Sequence, residues 1–282
     1  MSAFLSAPVY ESWFHEVRTL CIDAADRALK GFNTNPSMIE KGRGDWSSAL
    51  DLEIQDYITR ELRRIAPDAE VFGEECEDDS AKTQSAKLRA GSLYWNVDPI
   101  DGSANFLRGI PHFATVISLS EVQLDGSSTT LMGVTADPCR RECFTSVLGA
   151  GTQINGRPSN TSNSLTPHRS LMAIVTPKPD NRHLTAYGRW LTVALSRFGG
   201  VRRSGAMALD LAWLSCGRLD AFMGIDLAPW DTRAGFLHVD CAGGACSEHC
   251  ETWTTDSGER VPVTIYTAAN SKAMLGQVPT IG

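Results

Sequence analysis

The chain has 282 residues, 42% of them hydrophobic, which is enough for one large layered domain or two subdomains. Its net charge of −7 argues against a nucleic-acid surface, which needs clustered Lys and Arg, but it does not exclude a phosphorylated substrate, because metal-loaded carboxylates present positive charge. No apolar run reaches membrane-spanning length, and residues 1–8 do not resemble a signal peptide. We therefore expect a cytoplasmic protein that contacts neither membrane nor nucleic acid.

The N-terminal part of the sequence predicts two helices and a short strand. An apolar stripe over 10–29 predicts the first helix, and the second begins near Asp51 and ends before Pro67. A carboxylate at a helix start suits the free N–H groups there, so Asp51 on its own would be interpreted as a cap. The segment 71–75 then predicts a strand ending in acids, and the acidic residues 77–79 predict a solvated loop.

The segment 95–106, Trp-Asn-Val-Asp-Pro-Ile-Asp-Gly-Ser-Ala-Asn-Phe, carries the strongest functional signal. Apolar alternation predicts a buried strand that ends on Asp98 and is stopped by Pro99, with Asp101 one turn later. Two neighbouring carboxylates repel each other, and a divalent cation relieves the repulsion. Ser103 is predicted to cap a helix whose free N–H groups can hold an anion. Two ordinary turns on a solvated loop are the alternative.

The rest of the chain predicts strands first and then strand–helix alternation. Strands are expected at 115–121, 131–136 and 143–147, followed by a hairpin turn at Asn155-Gly156. The polar segment 157–169 predicts a linker, and the elements beyond it are strands at 171–176, 201–204 and 220–223 with helices at 181–198 and 206–216. We therefore predict an N-terminal α+β subdomain, 1–160, and a C-terminal α/β subdomain, 161–282.

The eight cysteines are scattered, as expected for free thiols in a cytosolic protein. One cluster contains Cys241, Cys246, His249 and Cys250. Its spacing lacks a Cys-x-x-Cys pair, so we interpret its members as small residues of a helix end and a strand, with a zinc site as the alternative.

The 95–106 segment resembles the signature of the inositol monophosphatase family, an apolar residue, Asp-Pro-Ile/Leu-Asp-Gly-Thr/Ser, two variable residues and Phe or Tyr. The segment 229–244 resembles the second family signature, Trp-Asp-x-Ala, a helix and Gly-Gly. Alone, Asp231 would be a helix cap, but together with the first signature it is identified as a ligand. The resemblance spans about 41–244 and implies the five-layer αβαβα sandwich of the sugar phosphatases, in a family that is usually dimeric.

The same resemblance implies a site that holds two or three Mg²⁺ ions and hydrolyses a small phosphate monoester of a polyol, sugar or amino alcohol. Asp98 would bridge two ions. The Asp51 carboxylate and the Ser103 hydroxyl would orient and deprotonate the attacking water, and the N–H groups of Gly102 and Ser103 would hold the phosphate. The implied metal ligands are Glu74, Asp98, the Ile100 carbonyl, Asp101 and Asp231.

The predicted substrate-specificity residues are Gly205, Ala206, Gly224, Asp226 and Arg233, and the departures from the family pattern lie among them. Relatives usually carry a Glu at the position of Gly224 that contacts substrate hydroxyl or amine groups, and Asp226 is a candidate substitute. Arg233 is either a surface residue or a second anion contact. Ala206 and Met207 make the wall after Gly205 more apolar. We therefore expect a leaving group other than plain myo-inositol.

Two alternatives remain within the enzymes and one outside them. The second most favoured activity is hydrolysis of histidinol phosphate. Hydrolysis of a nucleoside bisphosphate is third, because the branch of the family that performs it usually has Leu where this chain has Ile100. Some bacterial relatives are also partners of the transcription machinery, and such a role would make catalysis incidental.

Overall fold

The computed structural model describes residues 8–34, 37–42, 45–75, 88–177, 183–255 and 257–280. The sequence start, the acidic 77–79 segment and positions 181–182 of a predicted helix lie outside these ranges. Within them, no helix combines the length and the apolar composition needed to cross a membrane.

The first half of the chain builds a seven-stranded sheet in the order β3-β4-β5-β6-β7-β8-β9. Two helices, α1 (Pro8–Gly31) and α2 (Ala49–Ile65), precede it, with a small hairpin of β1 (Met38–Gly42) and β2 (Asp45–Ser48) between them. A short helix, α3 (Ser103–Leu107), follows the second strand. The strands are β3 (Glu70–Gly73), β4 (Leu93–Asp101), β5 (Ala114–Val122), β6 (Ser128–Asp137), β7 (Glu142–Val147), β8 (Gly151–Ile154) and β9 (Arg157–Ser159).

The second half builds a five-stranded sheet in the order β11-β10-β12-β14-β13. Strands β11, β10 and β12 are parallel, and β14 and β13 are antiparallel additions. After a 3₁₀ turn at Pro167–Arg169, the elements are β10 (Leu171–Ile174), α4 (Leu184–Arg197), β11 (Gly200–Arg202), α5 (Met207–Leu214), β12 (Ala221–Ile225), α6 (Pro229–Cys241), β13 (Ala245–Thr254), β14 (Arg260–Ala269) and α7 (Lys272–Leu275).

These elements stack in five layers, which confirms the αβαβα prediction. Helices α1 and α2 bury their apolar stripes on the outer face of the first sheet. Helix α4 and the short α7 do the same on the outer face of the second sheet. Helices α5 and α6 fill the space between the sheets, and they contribute apolar residues to clusters with both. The two-subdomain division stays a prediction.

Helix α6 is fixed to the first sheet by a close approach and a buried histidine. A Cβ added at Gly133 of β6 would lie 3.0 Å from the Cα of Ala234 in α6. The His238 ring lies 3.1 Å from Thr135 Oγ1 through Nε2 and 2.7 Å from Ser146 Oγ through Nδ1. Burial lowers the pKa of His238 to about 3, so this contact keeps a neutral imidazole.

The predicted linker over 157–169 is wrong for its first residues. Arg157–Ser159 forms β9, which pairs antiparallel with β8 across the predicted Asn155-Gly156 turn. Because β9 is the last strand of its sheet, Pro158 can lie in it without disrupting a central ladder. The polar composition that suggested a linker reflects this exposed edge.

Candidate active site

A β-bulge at Pro99 and Ile100 brings the two central carboxylates to the same face of the first sheet. Asp98 pairs with Val116 and Asp101 with Ala114, so three steps along β4 correspond to two along β5. Side chains three apart in a regular strand point to opposite faces, and the extra residue cancels that reversal. The prediction that Pro99 ends the strand is therefore wrong, because a bulge tolerates its missing N–H. Thr115 Oγ1 donates to the Pro99 carbonyl (2.9 Å).

Asp51 is the third residue of α2, and the N-cap of this helix is Ser48 rather than Asp51. The Ser48 N–H and hydroxyl both donate to Asp51 Oδ2, at 2.9 and 2.6 Å. The interpretation of Asp51 as a simple cap is thus corrected, because its other oxygen is 2.9 Å from the Ser103 hydroxyl. Burial raises the pKa of Asp51, and the hydroxyl donors oppose that rise.

The turn after β4 differs by one residue from the prediction. Gly102, with φ +95°, is the N-cap of α3, and Ser103 is its first helical residue. A Cβ at Gly102 would meet Ala206 Cβ at 3.0 Å and the Gly205 carbonyl at 3.1 Å, so a side chain there would crowd both neighbours and strain the backbone. The Ser103 hydroxyl lies 2.9 Å from both Asp51 Oδ1 and the Ile100 carbonyl.

Asp101 connects the first sheet to the helices between the sheets. Its two oxygens accept from the N–H groups of Met207 (2.9 Å) and Leu209 (3.0 Å) at the start of α5. Burial raises the pKa of Asp101 to about 7, and the hydrogen bond from the Leu209 N–H is the largest effect that opposes this rise. Each oxygen keeps a further lone pair that can face a ligand.

Glu74 and Asp98 lie within hydrogen-bonding reach of each other beyond the end of β3. Burial raises both pKa values, that of Glu74 to about 8, and the neighbouring Asp231 adds to each rise. About 27% of the Glu74 side chain is exposed, so solvent moderates its shift. Lys41 lies 3.8 Å from Glu74 and 2.5 Å from Glu75, and it opposes the rise at Glu74.

Asp231 enters the site from the first turn of α6. Its Oδ2 accepts from the Ala228 N–H (2.8 Å), which fixes the carboxylate at the helix start next to the β4 acids. Its charge contributes to the raised pKa values of both Glu74 and Asp98, so the structure brings these side chains together.

The donor set fits a hard divalent cation. Carboxylates and one carbonyl, that of Ile100, are the ligands Mg²⁺ prefers, and the mutual repulsion of Glu74, Asp98 and Asp231 is what a cation between them would relieve. In the described ranges, no group of three or more Asp, Glu, His or Cys side chains has already converged on one point.

The substrate-side residues divide into those at the site and those turned elsewhere. Gly205 and Ala206 lie against Gly102 at the base of the site. Asp226 Oδ1 accepts from the Thr264 N–H of β14 (3.0 Å). Arg233 Nη1 lies 3.4 Å from Glu248 of β13, and Arg233 is about 200° around α6 from Asp231. The Arg233 side chain is only about 27% exposed and its Nε is buried, so both interpretations of Arg233 stay predictions.

The members of the cysteine–histidine cluster lie in different surroundings. Cys246 and Cys250 share one face of β13, and His249 points to the other, where it lies 3.1 Å from Glu251. Cys241 contacts the Val147 carbonyl instead. The cysteines of the described ranges are free thiols.

Two contributors were missed by sequence reasoning: Lys41 supplies a cation beside the acids, and His238 anchors α6. The Ser48 hydroxyl matches the family pattern, but its contact with Asp51 was not predicted. The Ser-x-x-Asp spacing of Ser48 and Asp51 resembles a capping box and was the one available signal.

Comparison with known proteins agrees with this arrangement. Residues 11–276 match the inositol monophosphatase family. The chain is 34% identical over 208 residues to the Nus factor SuhB of Xylella fastidiosa, covering 73% of this chain and 70% of that protein. It is 32% identical over 251 residues to inositol monophosphatase 1 of Solanum lycopersicum, covering 87% of this chain and 89% of that protein. The crystal structure of the extragenic suppressor protein suhB from Bartonella henselae matches with a TM-score of 0.78 at 25% identity, covering 95% and 96%.

The layered fold with acids between its sheets is thus the inositol-monophosphatase type of fold. The chain belongs to the inositol monophosphatase family. Membership supports a phosphatase activity, and the family is generally metal-dependent.

Proposed function

We propose that the protein hydrolyses a small phosphate monoester with Mg²⁺, by attack of a metal-activated water. The observation that carries this proposal is the bulge in β4, which aims Asp98 and Asp101 at the same side of the sheet as Glu74 and Asp231. Glu74, Asp98, the Ile100 carbonyl, Asp101 and Asp231 would hold two or three ions. Bound Mg²⁺ would supply an acidified water and neutralise phosphoryl charge.

The protein's own groups then position the reactants. The Ser103 hydroxyl would take a proton from the attacking water as it passes its own proton to Asp51, whose raised pKa makes it a better base than an exposed carboxylate. The backbone N–H groups of Gly102 and Ser103 would hold the phosphate. The two hydrogen bonds that Ser48 donates to Asp51 keep the base oriented before substrate arrives.

The proposed substrates are phosphorylated polyols, sugars and amino alcohols, with histidinol phosphate as the alternative. Phosphate release from inositol-1-phosphate, histidinol phosphate, hexose phosphates and adenosine 3′,5′-bisphosphate tests this, with and without Mg²⁺. We expect Mg²⁺-dependent release from at least one ester. Comparable turnover of inositol-1-phosphate and every other sugar phosphate would contradict the expectation that the leaving group is not plain myo-inositol.

A second candidate function is a partnership with the transcription machinery. It is favoured by the 34% identity to a protein named Nus factor SuhB, and it bears on our expectation that the chain avoids nucleic acid. A pull-down that recovers RNA polymerase components, with an Asp101→Asn variant still functional in cells, would establish this role. We also propose a homodimer in the cytoplasm, which sedimentation and cell fractionation test.

A further inference from the structure

A cavity of about 340 Å³ lies on the outer face of the second sheet, next to helices α4 and α7, and we call it the outer cavity. Its floor is formed by Met223 of β12 and by Ile265 and Thr267 of β14. Gly224, the neighbour of Met223 in β12, faces the opposite side of the sheet, toward the helix layer that carries Asp231. The second sheet therefore separates the outer cavity from the proposed active site.

Aromatic side chains form part of the walls of the outer cavity and are held in fixed positions. Trp190 of α4 and Trp253 of β13 both line it, although each is almost completely buried. Trp190 Nε1 donates to the Pro279 carbonyl (2.7 Å), which ties the segment after α7 to α4. A cavity of this volume, with mostly apolar and aromatic walls, is typical of sites that bind small organic molecules. A flat ring can stack on such walls with little further loss of side-chain freedom.

Three polar side chains of β13 line the same cavity, namely Ser247, His249 and Glu251. The Glu251 carboxylate lies 3.1 Å from His249 Nε2 through Oε1, and its Oε2 accepts from Trp253 Nε1 at 3.1 Å. Because a carboxylate only accepts, His249 Nε2 carries a proton, and its Nδ1 lies 3.4 Å from the Ser247 hydroxyl. Both oxygens of Glu251 already have donors within the protein, which weakens the attraction of this acid for a cationic ligand.

Lys272, the first residue of α7, supplies a positive charge to the lining of the outer cavity. Lys272 is exposed, and in the described part of the chain no carboxylate lies within ion-pair distance of its amino group. Unlike the Glu251 carboxylate, this amino group is therefore open to a charged ligand. An anionic group on Lys272 and an apolar ring on the walls would match both the charge and the surface of the cavity.

We propose that the outer cavity binds a small aromatic carboxylate, with its ring against Trp190, Trp253 and Met223 and its carboxylate on Lys272. The inference does not depend on the proposed phosphatase function. The probe is 2-naphthoate, and 2-naphthamide, which has the same rings and no charge, is its matched control. Isothermal titration calorimetry with Mg²⁺ present should show saturable binding of 2-naphthoate at one site per chain, about fivefold tighter than that of the amide.

The variant Lys272→Met tests the charge, because it removes the amino group and keeps an unbranched side chain. It should weaken 2-naphthoate binding about fivefold, leave 2-naphthamide binding unchanged and so abolish the preference. Lys30→Met, which changes an exposed lysine in the last turn of α1, is the matched control and should keep the wild-type preference. Ser247→Phe places a ring in the cavity and should abolish binding of both probes.

Asp98→Asn should bind 2-naphthoate as the wild type does, because the second sheet separates the two sites. The inference is overturned by a wild type without saturable binding, by a Lys272→Met protein with the wild-type preference, or by loss of binding in Asp98→Asn, which would assign the ligand to the metal site. Tighter binding of 2-naphthylmethylamine than of 2-naphthoate would also overturn it, because the cavity would then select a cation through Glu251. These results all leave the proposed phosphatase function standing, which the ester panel tests separately.

Discussion

At the scale of single residues, Asp51 is held by two donors that have different purposes. Ser48 fixes one carboxylate oxygen from within the same helix turn, while Ser103 approaches the other from the β4–α3 turn. The first contact orients the group, and the second links it to the place where water and phosphate are proposed to meet.

Replacing Asp51 by Asn or Ser103 by Ala should lower kcat by about 10²–10⁴-fold, the usual contribution of a general base. Steady-state phosphate release with Mg²⁺ measures the effect. The exposed Asp56 of the same helix supplies the control, and Asp56→Asn should keep wild-type kcat. An Asp51→Asn enzyme with full kcat would remove Asp51 from the chemistry.

The buried acids predict an unusual pH dependence of stability in the metal-free protein. Burial raises the pKa of Glu74 to about 8, with Asp231 and Glu75 adding to the rise. It raises the pKa of Asp101 to about 7, with Asp210 adding to the rise. The folded state therefore retains protons that the unfolded chain releases near pH 4. Stability is therefore lost as the pH rises from about 4 to about 8. In EDTA, Tm should be lower at pH 8 than at pH 5, and Mg²⁺ should reduce the difference. A Tm that rises with pH would contradict this account.

At the scale of elements, α6 positions Asp231 only because the helix packs closely on β6. Gly133→Ala would place a methyl group against the α6 backbone, at 3.0 Å from Ala234 Cα, and should lower the free energy of unfolding by about 1–3 kcal/mol. Gly188 of α4 has open space around its Cβ position, so Gly188→Ala should raise stability by about 1 kcal/mol. Chemical denaturation of both variants measures the contrast. Equal effects of the two substitutions would show that the close approach is unimportant.

The sequence predicted most elements but not the detail that makes the site. Apolar periodicity located the helices and strands, because burial of one face dictates that periodicity. The bulge could not be predicted from Asp-Pro-Ile-Asp alone, since it depends on which residues of β5 lie opposite, namely Val116 and Ala114. The Gly133–Ala234 approach likewise joins positions about one hundred residues apart, and no local pattern encodes it.

At the scale of the whole molecule, the proposed active site is assembled from the first sheet and the helix layer between the sheets. β3 and β4 lead to Glu74, Asp98 and Asp101, whereas the first turn of α6 supplies Asp231. The Asp101 carboxylate accepts hydrogen bonds from two backbone N–H groups at the start of α5. Cation binding would thus join layers that are otherwise held by packing.

Cation binding at the proposed site is expected to increase the stability of the whole protein. A cation that binds the folded site and not the unfolded chain adds stability by mass action, about 2.7 kcal/mol at a concentration one hundred times its Kd. Millimolar Mg²⁺ should therefore raise Tm at neutral pH, and Asp98→Asn should abolish most of the shift. An Asp98→Asn protein with the wild-type Mg²⁺ shift would place the cation elsewhere.

The most direct test of the central claim is phosphate release by the wild type and by Asp98→Asn, across the ester panel, with and without Mg²⁺. The account predicts Mg²⁺-dependent release from at least one ester and its loss in the variant. Release that is independent of Mg²⁺ or retained by Asp98→Asn would contradict the proposed site. No release by a folded, Mg²⁺-binding wild type would contradict the phosphatase proposal for these esters and favour the transcription partnership.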